Sequence, residues 1–173
     1  MASTIRVSIW TGGSNTPGAG GTAETGIKFN RANSLAGTTP IPIPTATGTA
    51  FSWPKFTGLE VTSDGSTTIS NRGIKMAAGI ATGLELFWKA TASYVTPAAS
   101  ADSDSGSNGA DPSGYTVMTT SNATYDASSV ASTTGTAVNG QYCVLALGVS
   151  NNYAGGASSA AAVPTLTYQY DEA

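Results

Sequence analysis

The chain has 173 residues, with seven Lys and Arg against ten Asp and Glu, one cysteine and no histidine. Without histidine, His-based catalytic triads and His-ligated metal sites are excluded, and a single cysteine excludes an intrachain disulfide. The basic residues are scattered and no apolar run approaches the roughly 20 residues of a bilayer span, so neither nucleic-acid binding nor membrane insertion is predicted.

Alternating apolar residues predict eight strands along the chain. In chain order these strands lie at 5–9, 27–29, 59–61, 69–76, 84–89, 115–119, 141–149 and 166–170. The run at 84–89 is the densest in large apolar residues and predicts a central strand. The run at 141–149 is apolar on both faces, which predicts a strand buried on both sides, with Cys143 as a buried small hydrophobic residue.

The connecting segments are long and rich in Gly, Ala, Ser and Thr, the four residue types that make up 95 of the 173 positions. Within 38–49, the alternation of Pro40, Pro42 and Pro44 predicts an extended polyproline-like arm or linker. With so few large apolar residues, the core must be thin, as between two packed sheets. The sequence therefore predicts a single all-β domain over 1–173, an antiparallel two-sheet β-sandwich or jelly-roll-like fold.

One loop contains carboxylate and amide side chains at spacings that could bind a calcium ion. Its sequence is DSDSGSNGAD at 102–111, in which Asp102, Asp104, Asn108 and Asp111 could supply oxygen ligands to calcium. The spacing does not fit the EF-hand template, because Gly106 takes the third ligand position. A hydrated loop tip is therefore favoured over a calcium site.

The acidic residues do not predict a hydrolase. Paired carboxylates across a cleft would be needed to cleave glycosidic bonds. Only Glu60 and Glu85 lie within predicted strands, and each is expected on a solvent-facing position. No catalytic or cofactor-binding residue is predicted.

Two parts of the chain carry a resemblance to a known group of proteins. The first part is FSWPKFTGLEVTS at 51–63 with TISNR at 68–72, and the second is QYCVLALGV at 141–149 with LTYQYDE at 166–172. An aromatic-led strand that runs into a T-x-I-S-N turn, in a chain with a final Y-x-Y-D-E strand, resembles small virion structural proteins of tailed bacteriophages. The resemblance implies a β-sandwich that decorates or cements a capsid or lies elsewhere in the particle, and it does not separate a head protein from a tail or baseplate protein.

The resemblance implies a non-enzymatic protein, without a cofactor, that binds across major capsid protein subunits and stabilises the capsid. Its implied partners are the major capsid protein and copies of itself, on the outer surface of a virion assembled in the host cytoplasm. The N-terminal stretch lacks the apolar core of a signal peptide, as that location would require. The predicted partner-binding residues are Pro40, Pro42, Pro44, Tyr168 and Tyr170.

An alternative function is a tail or baseplate structural protein, or a receptor- or carbohydrate-binding module. That alternative predicts tryptophan or tyrosine side chains clustered on the surface at one end of the sandwich.

Overall fold

The structure is a computed structural model. It describes residues 2–10, 17, 22–23, 26–32, 40–63, 65, 67–96, 114–132, 134, 140–155 and 165–173. This part of the chain is all-β, with eleven strands in two antiparallel sheets and no helix, so the predicted β-sandwich is confirmed. No helix in the described segments is long and apolar enough to span a bilayer.

The first sheet has seven strands. Their order across the sheet is β2-β1-β4-β10-β6-β7, and β3 also pairs with β10. The strands are β1 (Thr4–Trp10), β2 (Thr22–Ala23), β3 (Thr49–Phe51), β4 (Lys55–Ser63), β6 (Leu84–Thr91), β7 (Thr116–Val117) and β10 (Tyr142–Ser150).

The second sheet has four strands around a central one. Strand β5 (Thr68–Met76) pairs with β11 (Leu166–Glu172) along one side and with β8 (Ala123–Asp126) and β9 (Val130–Ala131) along the other. Because β11 covers β5 from Ile69 to Met76, the two shorter strands must share the opposite side of β5.

The main core lies between the two sheets. Alternate residues of β10, from Cys143 to Val149, pack against Ile74 and Met76 of β5 and Tyr125 of β8. Cys143 is fully buried and free, as predicted. Contact across this layer is what makes the two sheets one sandwich.

Two smaller clusters, largely aromatic, form a layer on the other face of the first sheet. Trp10 meets Tyr142 edge to face with ring centroids 5.4 Å apart, and Phe51 meets Phe87 in the same way at 5.7 Å. The remaining residues of β10 belong to this layer, so β10 is buried on both faces as its sequence predicts.

The predicted strand at 27–29 is wrong. Residues 27–30 form no strand, although Phe29 is buried in the main core. Alternation there reflects burial of every second side chain without a neighbouring strand to pair with. The short strands β2, β3, β8 and β9 were not predicted.

The Pro-rich segment is packed on the domain over its described residues, 40–49. Ile41 is fully buried in the main core and Ile43 packs against that core. Pro40 is exposed, Pro42 is half-buried and Pro44 is buried. The isoleucines between the prolines anchor the segment, so it is part of the fold and not an arm that stands away from it.

Candidate partner-binding surface at the edge of the second sheet

Strand β11 is an edge strand: among the described strands it pairs only with β5. Thr165 accepts a hydrogen bond from the Ala77 amide at 2.8 Å, and Ala173 exchanges two with Thr68 at 2.8 and 3.1 Å. Antiparallel ladders bond at alternate residues, so the odd-numbered residues of β11 bond to β5. The residues whose N–H and C=O groups point away from the sheet are then Leu166, Tyr168, Tyr170 and Glu172.

The middle of β11 is anchored in the main core by Tyr168. Its ring packs on Tyr125 with centroids 6.5 Å apart, and its hydroxyl hydrogen-bonds the Thr57 hydroxyl of the first sheet. Burial raises the pKa of Tyr168 well above its ordinary value. This predicted partner-binding residue is therefore a structural anchor whose backbone, rather than its side chain, is available at the edge.

The end of β11 is held by its acidic residues. The Glu172 carboxylate accepts hydrogen bonds from the Ser3 amide at 2.6 Å and the Thr67 hydroxyl at 2.8 Å, and these bonds lower the pKa of Glu172. The Asp171 carboxylate accepts one from the Asn71 amide group at 2.7 Å. The strand edge is therefore fixed in position before any partner arrives.

Tyr170 is the residue of β11 that is most available to a partner. Its side chain is 37% exposed, one of the few large hydrophobic side chains in the described part of the chain that reach solvent. It lies opposite a β-bulge in β5, where Asn71 and Arg72 together face the single residue between Gln169 and Asp171. Asn71 adopts φ 48°, a left-handed conformation that asparagine tolerates better than most residues.

The bulge turns Arg72 into the interior, where it pairs with Asp126. Their closest side-chain atoms are 2.7 Å apart, and the two side chains are 0% and 3% exposed. The guanidinium also donates to the Ile69 carbonyl at 2.7 Å and the Ser128 carbonyl at 2.9 Å. Gly140 lies against this guanidinium so closely that a Cβ atom there would clash with it.

Asp126 has its own set of hydrogen bonds. Burial alone would raise its pKa, but bonds from the Ser128 amide and hydroxyl, from Arg72 and from the Gln141 amide outweigh burial and lower it. The carboxylate is therefore held ionised. The pair joins β5 and β8 to the segment that leads into β10, behind the β11 edge.

Not all predicted candidates lie at this surface. Asp102, Asp104, Asn108 and Asp111 lie outside the described residues. Within the described segments, no group of three or more Cys, Asp and Glu side chains is placed to hold a metal. The tryptophans do not form an exposed cluster, since Trp10 is fully buried and Trp53 and Trp88 are half-buried.

The two acidic residues expected on solvent-facing positions, Glu60 and Glu85, differ in their exposure to solvent. Glu85 is exposed, as predicted. Glu60 is buried, so that prediction is wrong. Its carboxylate accepts hydrogen bonds from Arg6 at 2.9 and 3.1 Å and from the Ser8 hydroxyl at 2.5 Å, and these partners on the neighbouring β1 satisfy the charge.

Sequence reasoning also missed the buried Arg72–Asp126 pair. One signal was present: Ile69 and Ile74 are both apolar but an odd number of residues apart, so a regular strand cannot bury both on one face. A bulge between them resolves the conflict, and Arg72 is its second residue.

Comparisons of the chain with protein-family models, curated proteins and solved structures found no match.

Proposed function

We propose that the protein is a non-enzymatic structural component of a tailed-phage virion that decorates and stabilises the capsid by binding across major capsid protein subunits. The observation that carries this proposal is the edge of β11 that no other described strand covers, on a seven-residue strand with a fixed backbone and the exposed side chain of Tyr170. The sequence resemblance to decoration proteins supplies the identity of the lattice.

Strand addition is the binding mode that suits such an edge. An extended segment of the partner would pair with the outward N–H and C=O groups, and main-chain hydrogen bonds would provide affinity. Strand β11, with sequence LTYQYDE, contains neither the proline nor the lysine that commonly blocks free edges. Many modest contacts repeated over a symmetric lattice would add up through avidity.

The proposed partners are the major capsid protein and copies of this chain, and the proposed location is the outer capsid surface. An acidic chain, with an isoelectric point near 4.6, suits that surface better than one facing DNA. The exposed Pro40 and the exposed residues 45–47 are further contact points of the Pro-rich segment.

Co-sedimentation with mature capsids that lack the protein tests the proposal. The wild-type chain should bind saturably at a fixed ratio to the major capsid protein. Tyr170→Pro removes one outward N–H without removing a bond to β5, because proline is tolerated at the free side of an edge strand. We expect Tyr170→Pro to lose at least tenfold in affinity, and Tyr170→Ala, which keeps the N–H, to lose less.

Circular dichroism and thermal melting of both variants provide the folding control. Equal binding by Tyr170→Pro and wild type, with both folded, would rule out strand addition at β11. If the wild-type chain does not bind heads at all, capsid decoration is wrong, and the tail or receptor-binding alternative takes its place.

A further inference from the structure

A small cleft opens on the outer face of the first sheet, at the end where β6 begins and β10 finishes. Cross-strand pairing places Gly148 of β10 between Phe51 of β3 and Glu85 of β6. A Cβ atom at Gly148 would lie 3.0 Å from the rings of Phe51 and Phe87, so the missing side chain lets these rings approach the β10 backbone closely. The cleft has a volume of about 270 Å³. It is lined by Thr49, Thr82, Gly83, Leu84, Glu85, Gly148, Ser150 and Asn152.

Backbone hydrogen bonds hold the rim of this cleft together. The Ser150 amide donates to the Gly83 carbonyl at 2.8 Å, and the Asn152 amide donates to the Ser150 hydroxyl at 3.3 Å. Gly83 adopts φ 84° and lies so close to the Tyr153 backbone that no side chain would fit there. The cleft is therefore preformed by the fold, which reduces the cost of ordering it around a ligand.

The chemistry of the lining favours a cation with several N–H donors. Among the described residues that line the cleft, Glu85 alone is charged, and the neutral ones include hydroxyl and amide side chains. A guanidinium group is a planar cation with five N–H donors that matches a carboxylate in two parallel hydrogen bonds.

The size of the cleft limits the ligand further. Pockets for drug-sized molecules typically measure roughly 300–1,000 Å³, so this cleft accommodates a side chain more readily than a cofactor. None of the lining residues that the structure describes is aromatic, so they offer a sugar no ring on which to stack.

We propose that this cleft binds the guanidinium group of an arginine side chain presented by a protein partner, with Glu85 as the carboxylate that pairs with it. The proposal does not depend on the capsid or on β11, which belongs to the other sheet. An arginine bound here would give a partner a second contact point on the opposite sheet.

Nuclear magnetic resonance titration of the ¹⁵N-labelled full chain with Nα-acetyl-arginine amide tests the proposal. We expect saturable shifts at the amides of Gly83, Glu85 and Ser150. Glu85→Gln should weaken binding about tenfold or more, since a charge-assisted hydrogen bond is lost while the exposed side chain keeps its shape. Asp171→Asn, which removes one charge on the other sheet, should bind like wild type.

Neutral and cationic analogues separate the possible results. Nα-acetyl-citrulline amide, which has the shape but lacks the charge, should bind at least tenfold more weakly. Nα-acetyl-lysine amide should bind more weakly as well, because an ammonium group cannot form the paired bonds. The proposal is overturned if citrulline or lysine amide binds as tightly as arginine amide, if Glu85→Gln binds as wild type does, or if no saturable shift occurs at the cleft.

Discussion

Lys55 is a buried cation at the first position of β4, with only 1% of the residue exposed. Its ammonium group donates to the Asn30 side-chain carbonyl at 2.8 Å and to the Ala32 carbonyl at 2.7 Å, which ties the segment at 26–32 to the sheet. Burial lowers the pKa of Lys55 from 10.5 to about 8. The amine of Lys55 therefore loses its proton at a lower pH in the folded protein than in the unfolded chain.

This shift predicts how stability depends on pH. Between pH 8 and 10 the unfolded chain keeps the Lys55 proton while the folded protein releases it, so the free energy of unfolding rises with pH, by up to about 1.4 kcal/mol per pH unit. Lys55→Met should lack this rise, and the control Lys75→Met should keep it. Urea denaturation at several pH values measures the free energy of unfolding of each variant relative to wild type. The titration of the tyrosines is common to all of these proteins, so it cancels in the difference. Parallel pH profiles for wild type and Lys55→Met would contradict the prediction.

The Arg72–Asp126 pair makes a different prediction at the residue scale. Asp126→Asn leaves the Arg72 guanidinium buried without its counter-charge, so it should lower the free energy of unfolding by about 3–5 kcal/mol. Asp171→Asn is the matched control: that side chain is exposed, so its loss should cost within about 0.5 kcal/mol. Chemical denaturation of both variants measures the costs. Equal costs would mean that the buried pair has no special role.

At the scale of elements, the long strands were predictable, and of the short ones only β7, within the predicted run at 115–119, was. Each of these long runs contains several apolar positions: they alternate in β1, β6 and β11, are continuous in β10, and change phase at the bulge in β5. Strands of two or three residues, such as β2 and β9, contain too few positions to show a period. They exist because a longer neighbour offers a ladder to pair with, and a single sequence does not reveal that neighbour.

The Pro-rich segment is anchored by a residue that its composition does not single out. Proline alternation predicts an extended chain, and in that chain Ile41, between two prolines, is fully buried. Ile41→Ala should therefore cost about 2–5 kcal/mol, the usual range for truncation of a buried isoleucine. Thr45→Ala, at an exposed position of the same segment, should cost within about 0.5 kcal/mol. Thermal or urea denaturation distinguishes this from a loosely attached segment, in which both variants would be as stable as wild type.

At the scale of the whole molecule, the small number of large apolar residues predicts a thin core. It does not predict which faces of the sheets these residues cover. The sandwich uses them in two layers, one between the sheets and one of aromatic rings on the outer face of the first sheet. The candidate surface on β11 was predicted only as a segment, through Tyr168 and Tyr170. Its outward backbone groups and the bulge beneath it depend on register, which pairing across the sheet decides.

Strand β10 belongs to both layers, with Cys143, Leu145 and Leu147 on one face and Tyr142, Val144 and Ala146 on the other. If either layer came apart, one face of β10 would be exposed to water and its backbone would lose packing on that side. The side chains of the other layer are attached to the same backbone, so that layer would lose its packing as well. The two cores therefore cannot melt one after the other. They form a single cooperative unit, so a destabilising substitution in either core lowers the free energy of unfolding of the whole domain.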